Sequence, residues 1–466
     1  MTDASTTPLD GTTPPTSTTP PRSIEFGVLL HGSGGHLSGW RVPGSPSDGQ
    51  LDIDFHVRLA RTLEAAGVDA VFIADVVAIW GKDLDSLSRT ARADFFEPLT
   101  LLSALSTVTE RIGLVATATT SYNEPYSIAR KFASLDHLSA GRAGWNVVTS
   151  VVPLEAANFG RDEHYDHADR YRHAEEFVDV VTGLWDGYDD DAVIRDQDAG
   201  VYYREDGQHE LDHHGEFFDV RGPLNISRSP QGHPVLFQAG ASETGQRFAA
   251  AHGEVIFTAP GDLDRAVELR STLRRLAEEA GRRADDLRVW AVLTPLVGES
   301  GQDARDKFDA LQALISDDTI RRSIQDNIGD LDLTGVDLDG PFPDIPDSNR
   351  SKSRQQGMLD VARAENLTIR GLASRLAERG TTFGTAVQIA DHIEQWFRAG
   401  AVDGFNISFP YLPQTLDDFV DRVLPILRER GVFWEHYGDT LRDTLGLARP
   451  GTPVHTPAAL PEGASR

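Results

Sequence analysis

The 466-residue chain contains no cysteine. That excludes disulfides, thiolate metal sites, iron–sulfur clusters and a cysteine nucleophile together, and it is compatible with a cytoplasmic location. Lysine is scarce: Lys82, Lys131, Lys307 and Lys352 leave the basic charge to arginine. The formal net charge is −28. Phosphate backbones demand clustered Lys and Arg, so this balance argues against nucleic acid as a partner; the acidity instead favours solubility. No apolar run approaches the ~20 residues of a membrane span. Residues 1–22 are rich in Thr, Pro and Ser, with no basic start and no apolar stretch. They read as a disordered leader rather than a signal peptide, with 448–466 as a flexible tail. A dinucleotide fingerprint is also missing: after Gly32 and Gly34 the third position of G-x-G-x-x-G is Leu37.

What is present is an alternation of strands and helices. Strands are expected at 24–30, 70–74, 112–118, 142–148, 234–239, 254–258, 287–297 and 404–409. Helical patterns at 55–66, 98–109, 125–138, 169–185, 244–251, 262–280, 386–399 and 416–430 separate or follow them. Eight such units predict an α/β fold, a (β/α)8 TIM barrel formed by 23–447 as one domain. Two large insertions interrupt it, at 186–233, with a hairpin around 215–226, and at 318–380. Long loops of that kind serve as lids or walls. In this fold the active site is built at the carboxyl ends of the strands.

Four features fall at those ends. In QAGASETG (238–245), Ser242 precedes a helix. It reads either as a plain N-cap or as an anion site suited to a mononucleotide phosphate. In HADRY (167–171), His167 and Tyr171 are four apart, so both rings share one helical face. A solvated helix start fits the same residues. A metal site from His164, Asp166, His167 and His173 is the weaker reading, because the HxH pair of a metal-dependent barrel hydrolase is missing after the first strand. Asp75 and Thr117 close strands two and three. A carboxylate ending an apolar strand is costly unless paired, solvated or facing a ligand. Of Thr117 and Thr119, one is expected to face the pocket. The fourth feature is the Gly-rich loop 31–43 with His36, Trp40 and Arg41, which reads as a mobile site wall.

The stretch 138–150, LSAGRAGWNVVTS, is more specific. With TATTSYNEP (117–125), the QAGASETG segment, DLDGPFPDIP (337–346) and RGVFWEHYGDTLRDTLGL (430–447), it resembles the nitrilotriacetate and dibenzothiophene-sulfone monooxygenase branch of the bacterial-luciferase-like flavoproteins. The resemblance covers about residues 24–447. It implies flavin mononucleotide (FMN) contacts at Asp75, Thr117, His167, Tyr171 and Ser242, with Asn146 also lining the flavin site. Two positions depart from the pattern, the segment around Thr381, Thr382 and Phe383 and the residue Trp434. Both are expected where substrate specificity is set.

The resemblance implies an FMN-dependent monooxygenase, the oxygenase of a two-component system that oxidises a small organosulfur, amine or xenobiotic molecule. With no nicotinamide module, reduced FMN (FMNH2) would come from a separate NAD(P)H:flavin reductase. His36 is the candidate catalytic proton donor or acceptor. No metal is expected, and a homodimer or homotetramer is. The alternatives are a deazaflavin-dependent oxidoreductase on the same barrel and a non-catalytic flavin-binding relative.

Overall fold

The computed structural model describes residues 22–79, 87–150, 152–240, 242–328, 332–340, 360–378 and 380–451. The leader up to residue 21, most of the tail and residues 341–346 of DLDGPFPDIP lie outside the described residues. Among the described residues, eight parallel strands close on themselves. They are β1 (Glu25–Leu29), β2 (Ala70–Ile73), β3 (Gly113–Thr119), β4 (Ala143–Val148), β5 (Val235–Gln238), β6 (Val255–Thr258), β7 (Arg288–Val297) and β8 (Gly404–Ile407). Each pairs with the next, and β8 closes on β1 through Phe26 opposite Phe405. This is the (β/α)8 barrel that the alternation predicts.

Local chemistry sets the helices on its outside. Asp52 caps α1 (Ile53–Ala65) by accepting the Phe55 N–H at 3.1 Å. α2 (Pro98–Ser106) and α3 (Pro125–Leu138) both start on proline, whose missing N–H is harmless there. α3 spans the residues expected of it. After it, Ala140 and Gly141 take positive φ, 54° and 90°, and turn the chain into β4. Arg142 then buries its guanidinium among the carbonyls of Ser106, Thr109, Ile112 and Ser139 and the Thr109 hydroxyl. The Gly-Arg of the fingerprint is therefore a structural clamp at the amino end of the barrel.

Alternation divides β4 between two layers. Trp145 points outward against Phe132 and Phe177, with its indole N–H on the Ala118 carbonyl at 3.0 Å. The barrel interior holds an aromatic plug of Phe72, Phe237, Phe257 and Trp290. Gly27 makes room for it, because a Cβ there would lie 2.4 Å from the Trp290 ring. Leu441, Leu445 and Leu447 close the plug from the amino end. Arg442, itself buried, holds that segment by pairing with half-buried Glu254.

α4 (His167–Trp185) starts two residues earlier than the pattern at 169 suggests. α5 (Glu243–His252) and α6 (Leu263–Glu279) follow β5 and β6. The first insertion carries two short antiparallel ladders. His213–His214 with Asp219–Val220 is the expected hairpin, set slightly earlier. Val193–Asp196 with Val201–Tyr203 carries no sequence signal, since its side chains are mostly exposed and show no apolar alternation. After β7 come α7 (Gly301–Gln312), α8 (Asp317–Ile328) and α9 (Ile369–Glu378). α8 and α9 pack through an apolar cluster of their own around Ile320, Ile324, Ile369 and Leu372. The segment at Thr381 is a strand, Thr381–Gly384. β7 outruns its barrel neighbours, and its free carboxyl end, Thr294 to Val297, pairs with this strand. No helix among the described residues is long and apolar enough to cross a membrane.

Candidate active site

Three adjoining cavities open at the carboxyl ends of the strands. The first, about 230 Å³, lies over β3, β4 and β5 and reaches Asp75, Thr117, Ser150, Tyr171 and Gln238. β3 and β4 are in register with Thr117 opposite Asn146. The Asn146 amide donates to the Thr117 hydroxyl at 3.0 Å. Thr119 lines the cavity as well. Residues two apart on a strand share a face, so both threonines face it where one was expected. Thr119 meets the Ser150 hydroxyl at 2.8 Å, and Ser150 donates to Glu155 at 2.9 Å. Ser150 has φ +52°, a strained conformation held by its neighbours.

Two buried acceptors have no partner: Gln238 Oε1, of the cavity lining, and Asn146 Oδ1, next to Thr117. Buried polar atoms are almost always paired, so these call for a ligand bearing N–H or O–H groups. Asp75 follows β2, and burial pushes its carboxyl up to about 6. Tyr171 lies on α4 at the far wall. Ser242 is the N-cap of α5, accepting the Gly245 N–H at 3.0 Å. A Cβ on Gly245 would lie 2.8 Å from the Tyr171 hydroxyl and 3.1 Å from that of Ser242, so the glycine lets both hydroxyls approach one helix start. His167 is the first residue of α4; its side chain lies outside the described residues.

The second cavity, about 250 Å³, shares Asp75 and Val76 with the first. Its polar lining includes His31, Gln50 and Arg92. Burial, with the Arg92 charge second, lowers His31 to about 4. The third cavity, about 500 Å³, shares Gly35 and Ser408 with the second. It is walled by His36 and Leu37 from the β1 loop, Ile320 and Leu376 from the insertion, and Thr381. Loop, insertion and the Thr381 segment thus meet over one space. His36 Nδ1 accepts the Ser38 N–H at 3.1 Å, and Nε2 faces the Gln312 amide at 3.0 Å. Burial, again with Arg92 second, lowers His36 to about 4.

Two expectations are corrected. Trp40 does not line these cavities; its indole N–H bonds the Arg89 carbonyl at 3.2 Å and ties the loop down. Trp434 lies at the amino end of β1, where its backbone N–H meets Ser23, far from the carboxyl ends of the strands. Sequence reasoning missed His31, Arg92, Gln238, Glu155 and Gln312. Gln238 opens the QAGAS string and Glu155 follows the fingerprint by five residues, so both carried a signal; Arg92 and Gln312 sit in no motif. Among the described residues, no three His, Asp or Glu side chains converge on a metal position.

A family model described as luciferase-like monooxygenase matches residues 33–404. The chain is 45% identical to N-acetyl-S-(2-succino)cysteine monooxygenase of Bacillus subtilis, over 92% of this chain and 98% of the relative. It is 44% identical to nitrilotriacetate monooxygenase component A of Aminobacter aminovorans, over 94% and 99%. The crystal structure of DmoA from Hyphomicrobium sulfonivorans superposes with a TM-score of 0.81 at 31% identity, covering 91% of this chain and 92% of that one. The chain is a member of the luciferase-like monooxygenase family.

Proposed function

We propose that this protein is the oxygenase component of a two-component system, using reduced FMN and dioxygen to oxidise a small organic substrate. The observation that carries the reading is the first cavity: the partnerless Gln238 Oε1 belongs to its lining, Asn146 Oδ1 lies behind the lining residue Thr117, and the lining residue Tyr171 meets the α5 start beside the Ser242 hydroxyl. A flavin mononucleotide suits both features: ring N–H groups for the acceptors, a phosphate for the helix start.

In this reading Asp75, Thr117 and Asn146 hold the ring, and His167, Tyr171 and Ser242 hold the ribityl phosphate. Reduced flavin, when bound, activates dioxygen for transfer to the substrate. The chain's own work is to position the substrate and exclude water. The β1 loop, the 318–380 insertion and Thr381 supply the walls. His36 is neutral at physiological pH, so it can hold or pass a proton at Nε2 once that atom is released from Gln312. The relative named component A supports delivery of FMNH2 by a separate NAD(P)H:flavin reductase. We also propose that residues 23–447 form one folded unit, that the protein is a homodimer or homotetramer, and that it is cytoplasmic.

The test supplies the protein with FMN, NADH, a flavin reductase and ¹⁸O₂ over a panel of thioethers and amines. Product carrying ¹⁸O only when the reductase is present supports the reading. Hydrogen peroxide as the sole product across the panel, or turnover only with a deazaflavin, contradicts it.

A further inference from the structure

We infer that the second cavity binds an anionic group of the substrate, a carboxylate or sulfonate, and that Arg92 is the residue that selects it. The inference rests on the oxygenase reading above and names the substrate class of that site.

Arg92, half-buried, differs from the other arginines enclosed by the fold. Arg442 is paired with Glu254, Arg228 with Asp186 and Asp190, and Arg270 with Asp403. Arg142 has no carboxylate but five acceptors around it. Arg92 makes one hydrogen bond, to the Gly35 carbonyl, and pairs with no carboxylate among the described residues. A guanidinium carries five N–H donors in a planar fork that matches a carboxylate. Arg92 is half-buried, and with one neutral acceptor among the described residues its remaining N–H groups face the cavity, where an incoming anion can take them.

The cation is also built into place. Gln50 accepts the Gly32 N–H at 3.2 Å and donates to the Ala91 carbonyl at 2.8 Å, strapping the β1 loop to the segment that carries Arg92. The neighbouring titratable groups do not neutralise it. Burial lowers His31 and His36 to about 4, so both rings are uncharged at neutral pH, and burial lowers His56 as well. Asp75 lines the same cavity without pairing to Arg92, and it is shared with the first cavity, where the cofactor assignment uses it. Apart from Ser408, the remaining side chains of the wall are apolar, among them Leu30, Ile73, Phe96 and Leu101. The pocket therefore fits a small apolar body with one anionic end. Gly35, which holds Arg92, precedes His36, so the anion would be anchored beside the candidate proton carrier.

The test is calorimetric binding of 3-(methylthio)propanoate and its amide, 3-(methylthio)propanamide, to the full-length protein with and without FMN. The acid is expected to bind about tenfold or more tightly than the amide, the worth of a charge-assisted pair. Arg92→Met should erase that preference and Arg92→Lys should restore part of it, with FMN affinity unchanged in both; the lysine variant carries the test if the methionine variant does not fold. Equal binding of acid and amide, no binding of either, or loss of FMN affinity in the folded variants overturns the assignment. Binding of the acid by a protein that takes no flavin upholds the anion site and defeats the oxygenase reading.

Discussion

His36 and Gln312, 276 residues apart, meet side chain to side chain at 3.0 Å and tie the β1 loop to the end of α7. Because His36 Nδ1 accepts the Ser38 N–H, the neutral ring carries its proton on Nε2. Gln312 must then present its amide oxygen, an orientation equivalent by shape to its nitrogen. The pair holds a proton at the third cavity and closes the loop over it. His36→Ala is expected to lower product formed per reduced flavin and to raise hydrogen peroxide release, with FMN affinity little changed. Product yield and peroxide release equal to the parent would remove His36 and this loop from the reaction.

The acid side of the stability profile follows from His31 and His36, both lowered to about 4. An unfolded histidine takes its proton near 6.5. Between there and about 4 the unfolded chain binds more protons than the native one, so stability falls as pH falls through that window. Asp75, raised to about 6, acts in the opposite sense. The His31→Gln/His36→Gln double variant should therefore lose less Tm than the parent between pH 7 and 4.5. Parallel Tm profiles would show that these rings titrate normally.

Ser242 caps α5 and stands beside Tyr171 at the proposed phosphate end. Loss of a cap costs about 1 kcal/mol of stability whatever the ligand. Loss of a hydrogen bond to a charged phosphate weakens binding by ~10–100-fold. Ser242→Ala is expected to weaken FMN by that factor and riboflavin far less, read by fluorescence titration of both. Equal losses would leave the serine as a cap alone.

The Gly27 contact with Trp290 concerns the barrel itself. A methyl 2.4 Å from a fully buried indole has to displace it. Gly27→Ala should cost about 1–3 kcal/mol, seen as a lower midpoint in urea. An unchanged midpoint would mean that the aromatic plug repacks freely.

The barrel was legible because its strands are short apolar runs between caps and glycines, and the α3 pattern even gave the right ends. The fingerprint was legible as a string but not as physics. Its adjacent Trp145 and Asn146 face opposite layers, one packed outside the barrel and one bonded to Thr117 of the candidate site, and Arg142 serves the amino end. Site residues on strand ends were readable because the fold fixes where strand ends go. Arg92 and Gln312 were not, since a loop residue reaches the site only through long-range contacts such as Arg92 to Gly35 and Gln312 to His36. Trp434 was misplaced for the same reason: only the pairing of Ile24 with Val432 shows that this segment returns to the amino end of β1.

The most direct test of the central claim is an anaerobic titration of the purified protein with FMNH2 and, in parallel, with oxidised FMN, followed by NADH. The account predicts tighter binding of FMNH2 than of FMN, flavin that dialyses away, and no reduction of bound FMN by NADH until a flavin reductase is added. A protein that stays yellow through dialysis and is bleached by NADH alone would contradict it.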